Sequence, residues 1–157
     1  MARERVPGTD ATGLRFGVVA ARWNEPYVRR LVDAALEVLR ARGAADADVE
    51  VIWVPGSFEV PLACRWAVES GRFHALLAFG VVLRGETEHF RLVADAASSG
   101  LLRVGLDSGV PVLNGVLAAY DAGQAAARTG GALGNRGAEI ALAAVQMACL
   151  RRTVNAR

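Results

Sequence analysis

A three-layer α/β/α sandwich around a four-stranded parallel sheet is the fold class this sequence predicts, and three observations predict it. Four short apolar runs alternate along the chain with segments of helical period, the pattern of repeated strand–helix–strand units. The runs are apolar at consecutive positions, as strands covered on both faces are. The 157 residues, 53% hydrophobic and 22% charged, supply one buried core and too little chain for two ordinary domains.

Residues 1–13 are polar and carry Pro7, Gly8 and Gly13, so they read as an arm ahead of a single domain over residues 14–157. No apolar stretch in the first ten residues suggests a secretory signal, and no run is long enough to span a bilayer, so a cytoplasmic protein is expected. Phe16–Ala21 is the first strand. Asn24 stands where a helix N-cap belongs, with Pro26 in the first turn. Val28, Leu31, Val32, Ala35, Leu36 and Leu39 then mark one face of a helix that stops near Gly43. Val49–Val54 is the second strand, Pro55–Ser57 a turn, and Glu59–Ser70 a helix closed by Gly71. Ala75–Leu83 is the third strand, Arg84–Glu88 a polar turn, and His89–Leu102 a helix. Val110–Leu117 is the fourth strand with Pro111 at its start, where a missing N–H costs no ladder bond. Asp121–Arg128 is a short helix, Thr129–Asn135 a loop, and Ala138–Arg152 the last helix. That helix is apolar nearly all round, which calls for cover beyond its own sheet and predicts a homo-oligomer.

Composition excludes several function classes. All 18 basic residues are Arg, so no Lys of this chain forms a Schiff base, holds pyridoxal phosphate or fills a P-loop. The formal net charge of +2 is spread along the chain, without the basic face that nucleic acid requires. His74, His89, Cys64 and Cys149 show no metal-ligand spacing, so no metal is expected, and two Cys read as reduced, buried thiols.

In open parallel sheets, ligands bind beyond the carboxyl ends of the strands. The first three strands end in Trp23-Asn24, in Pro55-Gly56-Ser57-Phe58-Glu59 and in Arg84-Gly85-Glu86-Thr87-Glu88-His89-Phe90. Together these offer an aromatic face, a hydroxyl, a carboxylate, a glycine turn with free N–H groups and an imidazole. Such a set suits a polar, planar substrate carrying phosphate. Each residue also has a plainer reading: Trp23 as core, Glu59 as a first-turn acid, Gly85 as turn chemistry, Arg128 as a helix C-terminal cation. His89 lies in a first helical turn, where the dipole favours the neutral ring, a competent base near neutral pH. His74, at the opposite end of the third strand, reads as structural. Gly130-Gly131-Ala132-Leu133-Gly134 is no dinucleotide fingerprint.

Trp23-Asn24, Pro55–Pro61, Gly80–Phe90, Pro111–Leu117 and Gly134–Glu139 occur in the order and spacing of the lumazine synthase family, which this sequence resembles over about residues 14–152. The R-G-x-T-x-H-F signature at Arg84–Phe90 and P-G-S-F-E-V-P at Pro55–Pro61 are its most specific parts. The resemblance implies flavodoxin-like strand order and an arm able to add to a neighbour's sheet. It implies condensation of 5-amino-6-(D-ribitylamino)uracil with 3,4-dihydroxy-2-butanone 4-phosphate to 6,7-dimethyl-8-ribityllumazine, with loss of phosphate and water and with no cofactor. The imine then forms between the two substrates, which agrees with the absence of Lys. By the same resemblance Trp23 stacks on the uracil; Ser57, Phe58 and Glu59 hold the ribityl chain; Val81, Val82 and Leu83 read the pyrimidine edge by backbone; Gly85, Glu86 and Thr87 form the phosphate turn; and His89 transfers protons. Asn114 and Arg128 complete the pocket from a neighbouring subunit, the Arg on phosphate, and Arg136 stands near the pyrimidine where relatives carry Lys.

The family also implies pentamers with active sites between adjacent subunits, a 60-subunit icosahedral shell where a Gly-Asn pair such as Gly134-Asn135 precedes the last helix, and riboflavin synthase as a partner. Four positions depart from the family pattern: Glu88 replaces a common Pro, Arg91 an Asp, Asn114 a Phe, and Ala118-Ala119 a Thr pair. Two rival readings are a non-catalytic flavin- or lumazine-binding shell protein of the same fold and a flavodoxin-like electron carrier.

Overall fold

The computed structural model describes residues 1–156. Its main sheet has four parallel strands, β1 (Phe16–Ala21), β2 (Val49–Val54), β3 (Ala75–Leu83) and β4 (Val112–Ala119), in the order β2-β1-β3-β4. Helices α1 (Glu25–Ala41), α4 (Ala122–Arg128) and α5 (Arg136–Asn155) pack on one face. Helices α2 (Val60–Glu69) and α3 (His89–Ser108) pack on the other. Phe16, Val18, Ala20, Leu77 and Phe79 enter the α1/α5 layer, and Val19, Ala21, Leu76 and Ala78 the α2/α3 layer. Pleat alternation thus feeds both cores, which is why central strands are apolar at every position. Full burial holds for β1 and for seven residues of β3; the edge strands β2 and β4 are only partly covered, against the expectation of four buried strands.

Tight crossings in the sandwich depend on glycine. At Gly137, a Cβ would stand 2.0 Å from the Leu31 carbonyl oxygen, so α5 passes α1 only because that side chain is missing.

Several boundaries differ from the sequence reading. Helix α3 runs six residues past Leu102, to an αL cap at Gly109. Strand β4 starts at Val112, after Pro111, whose carbonyl accepts the Leu76 N–H at 2.8 Å. The predicted loop 129–135 holds a small antiparallel ribbon, β5 (Thr129–Gly131) with β6 (Gly134–Asn135). Helix α5 begins two residues early because the Asn135 side chain caps it, accepting the Gly137 N–H at 2.7 Å. Asn24 occupies the N-cap position of α1 but makes no side-chain cap; its amide is engaged elsewhere.

The arm forms no strand. The Arg5 guanidinium reaches the Thr153 carbonyl, Cys149 Sγ lies 3.4 Å from the Asp10 carbonyl, and the Ala11 N–H donates to Arg42 at 2.8 Å. Cys64 and Cys149 are free and buried, and burial pushes the Cys64 thiol up to about 12, which keeps it protonated. Among the described residues, no helix is long and apolar enough to cross a membrane, and no group of His, Cys, Asp or Glu is placed to hold a metal.

Candidate active site

The strand order places the site. From β1 the chain moves outward to β2, then returns past β1 to β3 and β4, so the loops after β1 and β3 diverge and leave a crevice between them. A cavity of about 410 Å³ lies there, at the carboxyl edge of the sheet. It is lined by Trp23 and Asn24 after β1, by Gly56, Ser57, Phe58 and Glu59 after β2, by Val81, Val82 and Leu83 of β3, by Gly85 and Thr87 of the next turn, and by His89, Phe90 and Val93 of α3.

Each wall has a local cause. Trp23 is 73% exposed and presents its ring to the opening. Ser57, in a single 3₁₀ turn (Ser57–Glu59), is buried over Gly80, where a Cβ would meet its Oγ at 2.2 Å. Glycine in the middle of β3 is therefore what admits the Ser57 hydroxyl to the floor. The turn 84–88 starts from a ladder bond, Arg84 N–H to the Ala119 carbonyl at 2.9 Å. The Thr87 hydroxyl accepts the His89 N–H at 3.3 Å and tethers the first turn of α3. Beyond it, the N–H groups of Gly85, Glu86 and Thr87 donate to no protein acceptor among the described residues. Free amides at a helix start suit a phosphate. Phe90 is buried and meets Tyr120 edge-on at 5.9 Å, and the Arg84 guanidinium lies 5.6 Å from the same Tyr120 ring.

Ten of the fourteen candidate residues thus face one cavity. Glu86, Asn114, Arg128 and Arg136 do not. Glu86 is exposed on the outside of its turn. Asn114 sits on the open edge of β4, its amide on Ser98 Oγ at 3.1 Å and its carbonyl oxygen on the Val116 N–H at 3.0 Å. Arg128 ends α4, exposed and without an ion pair among the described residues. Arg136 pairs with Glu139 at 2.8 Å. Gly56, Phe90 and Val93 line the cavity although sequence reasoning gave them no role; Gly56 and Phe90 lie inside the quoted motifs, while Val93, one helical turn beyond His89, carries no signal of its own.

The charge of the lining is informative. Glu59 is its only carboxylate and it includes no Arg. Among the described residues, the lining thus offers backbone amides but no guanidinium to an anion. His74 lies at the far end of β3, its Nδ1 accepting the Arg15 N–H at 2.8 Å and its own N–H donating to the Arg15 carbonyl at 2.8 Å, a structural clasp.

Fold and site together define a doubly wound α/β protein with a small-molecule crevice at the switch point of its sheet. The profile of the 6,7-dimethyl-8-ribityllumazine synthase family matches residues 13–152, and the chain belongs to that family. It is 47% identical over 138 residues to a chloroplastic 6,7-dimethyl-8-ribityllumazine synthase of Arabidopsis thaliana, covering 88% of this chain and 61% of that one. It is 43% identical over 142 residues to the chloroplastic enzyme of Spinacia oleracea, covering 90% and 64%. It is 45% identical over 144 residues to the synthase of Paraburkholderia phymatum, covering 92% and 81%. The chain therefore spans less than two thirds of the two plant relatives.

Proposed function

We propose that this protein is a cytoplasmic lumazine synthase, condensing 5-amino-6-(D-ribitylamino)uracil with 3,4-dihydroxy-2-butanone 4-phosphate to 6,7-dimethyl-8-ribityllumazine. The carrying observation is the meeting of three strand-end loops, with Trp23, Ser57, Gly85, Thr87 and His89, around one crevice of substrate size. Family membership supports the reaction; the crevice supports the division of labour.

Trp23 stacks on the pyrimidine, and the Ser57–Glu59 turn takes the ribityl hydroxyls. The backbone of Val81, Val82 and Leu83 reads the ring edge. Phosphate rests on the amides of Gly85, Glu86 and Thr87. The pyrimidine amine attacks the ketone, and water leaves to give an imine. His89 moves the proton that accompanies phosphate departure. Loss of phosphate leaves an enol at the carbon that carried the hydroxyl, and its tautomerisation makes that carbon a carbonyl. The ribityl-bearing amine then closes the ring on it, and a second water is lost. Holding two substrates together supplies most of the acceleration, and proton transfer adds about 10²–10⁴-fold.

The cation missing from the lining implies a second chain. We assign it to Arg128 of a neighbour, with Asn114 and Arg136 serving the same composite site. Exposed Leu92, Leu102 and Leu106 on α3, with Trp66 on α2, give such neighbours an apolar surface to bury. A pentamer, a 60-subunit shell and riboflavin synthase as a partner belong to the same reading. Mixing both substrates with purified protein should produce lumazine absorbance with one phosphate released per product. A folded protein that forms neither overturns the proposal.

A further inference from the structure

We infer that Asn24 is the positioning residue for the Trp23 ring, an inference that rests on the stacking role given to Trp23 above. Trp23 is 73% exposed, so packing cannot fix its ring, and its placement depends on how its backbone is held. Two ladder-like bonds hold it on one side: Arg22 N–H to the Val54 carbonyl at 2.8 Å and Trp23 N–H to the Pro55 carbonyl at 3.0 Å. They extend the β1–β2 pairing past the strand ends but say nothing about the β3 side of the crevice. Asn24 supplies that side. Its Nδ2 donates to the Val81 carbonyl at 2.7 Å, across the switch point.

The backbone of Asn24 is equally specific. Its φ of 60° and ψ of 36° are left-handed, and no other non-glycine residue among the described ones has positive φ. Asn tolerates that conformation better than most residues, but it still costs free energy that the surroundings must offset. The turn reverses the chain so that the Asn24 carbonyl accepts the Tyr27 and Val28 N–H groups at 3.1 and 3.3 Å and starts α1. One residue thus links the floor of β3, the start of α1 and the indole.

The test uses Asn24→Gly, which accepts the same φ without strain and removes only the amide, and Asn24→Asp, which keeps the shape but replaces the donor with an acceptor facing a carbonyl oxygen. Both are made in a background where Trp53 and Trp66 are Phe, so that Trp23 alone emits. Without any substrate, both variants should lower the anisotropy of Trp23 emission. Trp53 emission, in a companion background with Trp23 and Trp66 as Phe, should stay unchanged, which a general loosening would not allow. In the three-tryptophan protein, KM for the pyrimidine should rise about tenfold while kcat changes by less than about threefold and KM for the butanone phosphate stays put. Unchanged Trp23 anisotropy overturns the positioning role, whatever turnover does. Lowered anisotropy with an unchanged pyrimidine KM leaves the anchor standing and sinks the stacking role of Trp23. A wild-type protein that makes no lumazine sinks the functional reading, and the anisotropy still decides the anchor.

Discussion

Two histidines show how position in the fold decides what an imidazole does. His89 lies on the exposed first turn of α3 at the crevice, its backbone tied by Thr87. Its loss should remove the proton-transfer contribution while leaving substrate juxtaposition intact. His89→Ala should therefore lower kcat by about 10²–10⁴-fold and leave measurable turnover. A folded variant with no detectable product would show that proton transfer carries the whole reaction. His74 is committed to the fold. Burial pushes its pKa below the ordinary imidazole value, the cations Arg15, Arg152 and Arg151 push the same way, and Asp48 opposes them. Protonation would also fill Nδ1, the acceptor for the Arg15 N–H. The folded state binds this proton more weakly than the unfolded chain, so its stabilisation is complete above pH of about 6.5 and is lost as pH falls through the lower folded value. His74→Asn, whose carbonyl oxygen can accept the same N–H without titrating, should flatten the decline in urea midpoint between pH 8 and pH 5. Parallel declines in the two proteins would show that other groups set the acid limb.

At the scale of elements, legibility followed how strongly each segment's local signal opposed its alternatives. The bounds of β3 were readable because nine consecutive apolar residues end abruptly at Arg84. Helix α3 outran its reading to Leu102: it continues through Gly105, since one glycine weakens a helix by about 1 kcal/mol without ending it, and stops at the αL cap Gly109. The β5–β6 ribbon was unreadable, since three and two residues carry no period. The crevice was legible where it is built from strand ends. The partners of Asn24 and Val93 were not, because only the sheet order brings β1 and α3 together. Two departures from the family pattern also meet in space: Glu88 and Arg91 form an exposed ion pair at 3.1 Å, a contact of little worth to stability. The α1–α5 crossing gives the sharper test. Gly137→Ala gains helix propensity of about 1 kcal/mol. The added Cβ nevertheless lands 2.0 Å from backbone, the Leu31 carbonyl oxygen, which cannot swing away. Overpacking of this kind costs about 1–3 kcal/mol and should win, lowering Tm by several degrees at roughly 2–4 °C per kcal/mol. A Tm that holds or rises would mean that the two helices separate freely.

At the scale of the whole molecule, the question is whether one chain suffices. The crevice has amides for a phosphate and a carboxylate in Glu59, but no guanidinium. Arg128, exposed and without an ion pair among the described residues, stands at the end of α4, outside its own crevice. If sites are completed across subunits, Arg128→Ala should raise KM for the phosphorylated substrate and spare that for the pyrimidine. Two damaged chains should then repair each other. A pocket from an Arg128→Ala chain retains His89, and a neighbouring His89→Ala chain supplies the missing guanidinium. In randomly mixed rings made by co-expression, about a quarter of the interfaces pair the two intact halves. At limiting butanone phosphate, the mixture should turn over well above the mean of the two variants assayed separately. Light scattering on the same sample should report a mass of at least five chains. Activity equal to that mean would show that each chain binds its phosphate alone, and the Arg128 assignment would fall with the composite site.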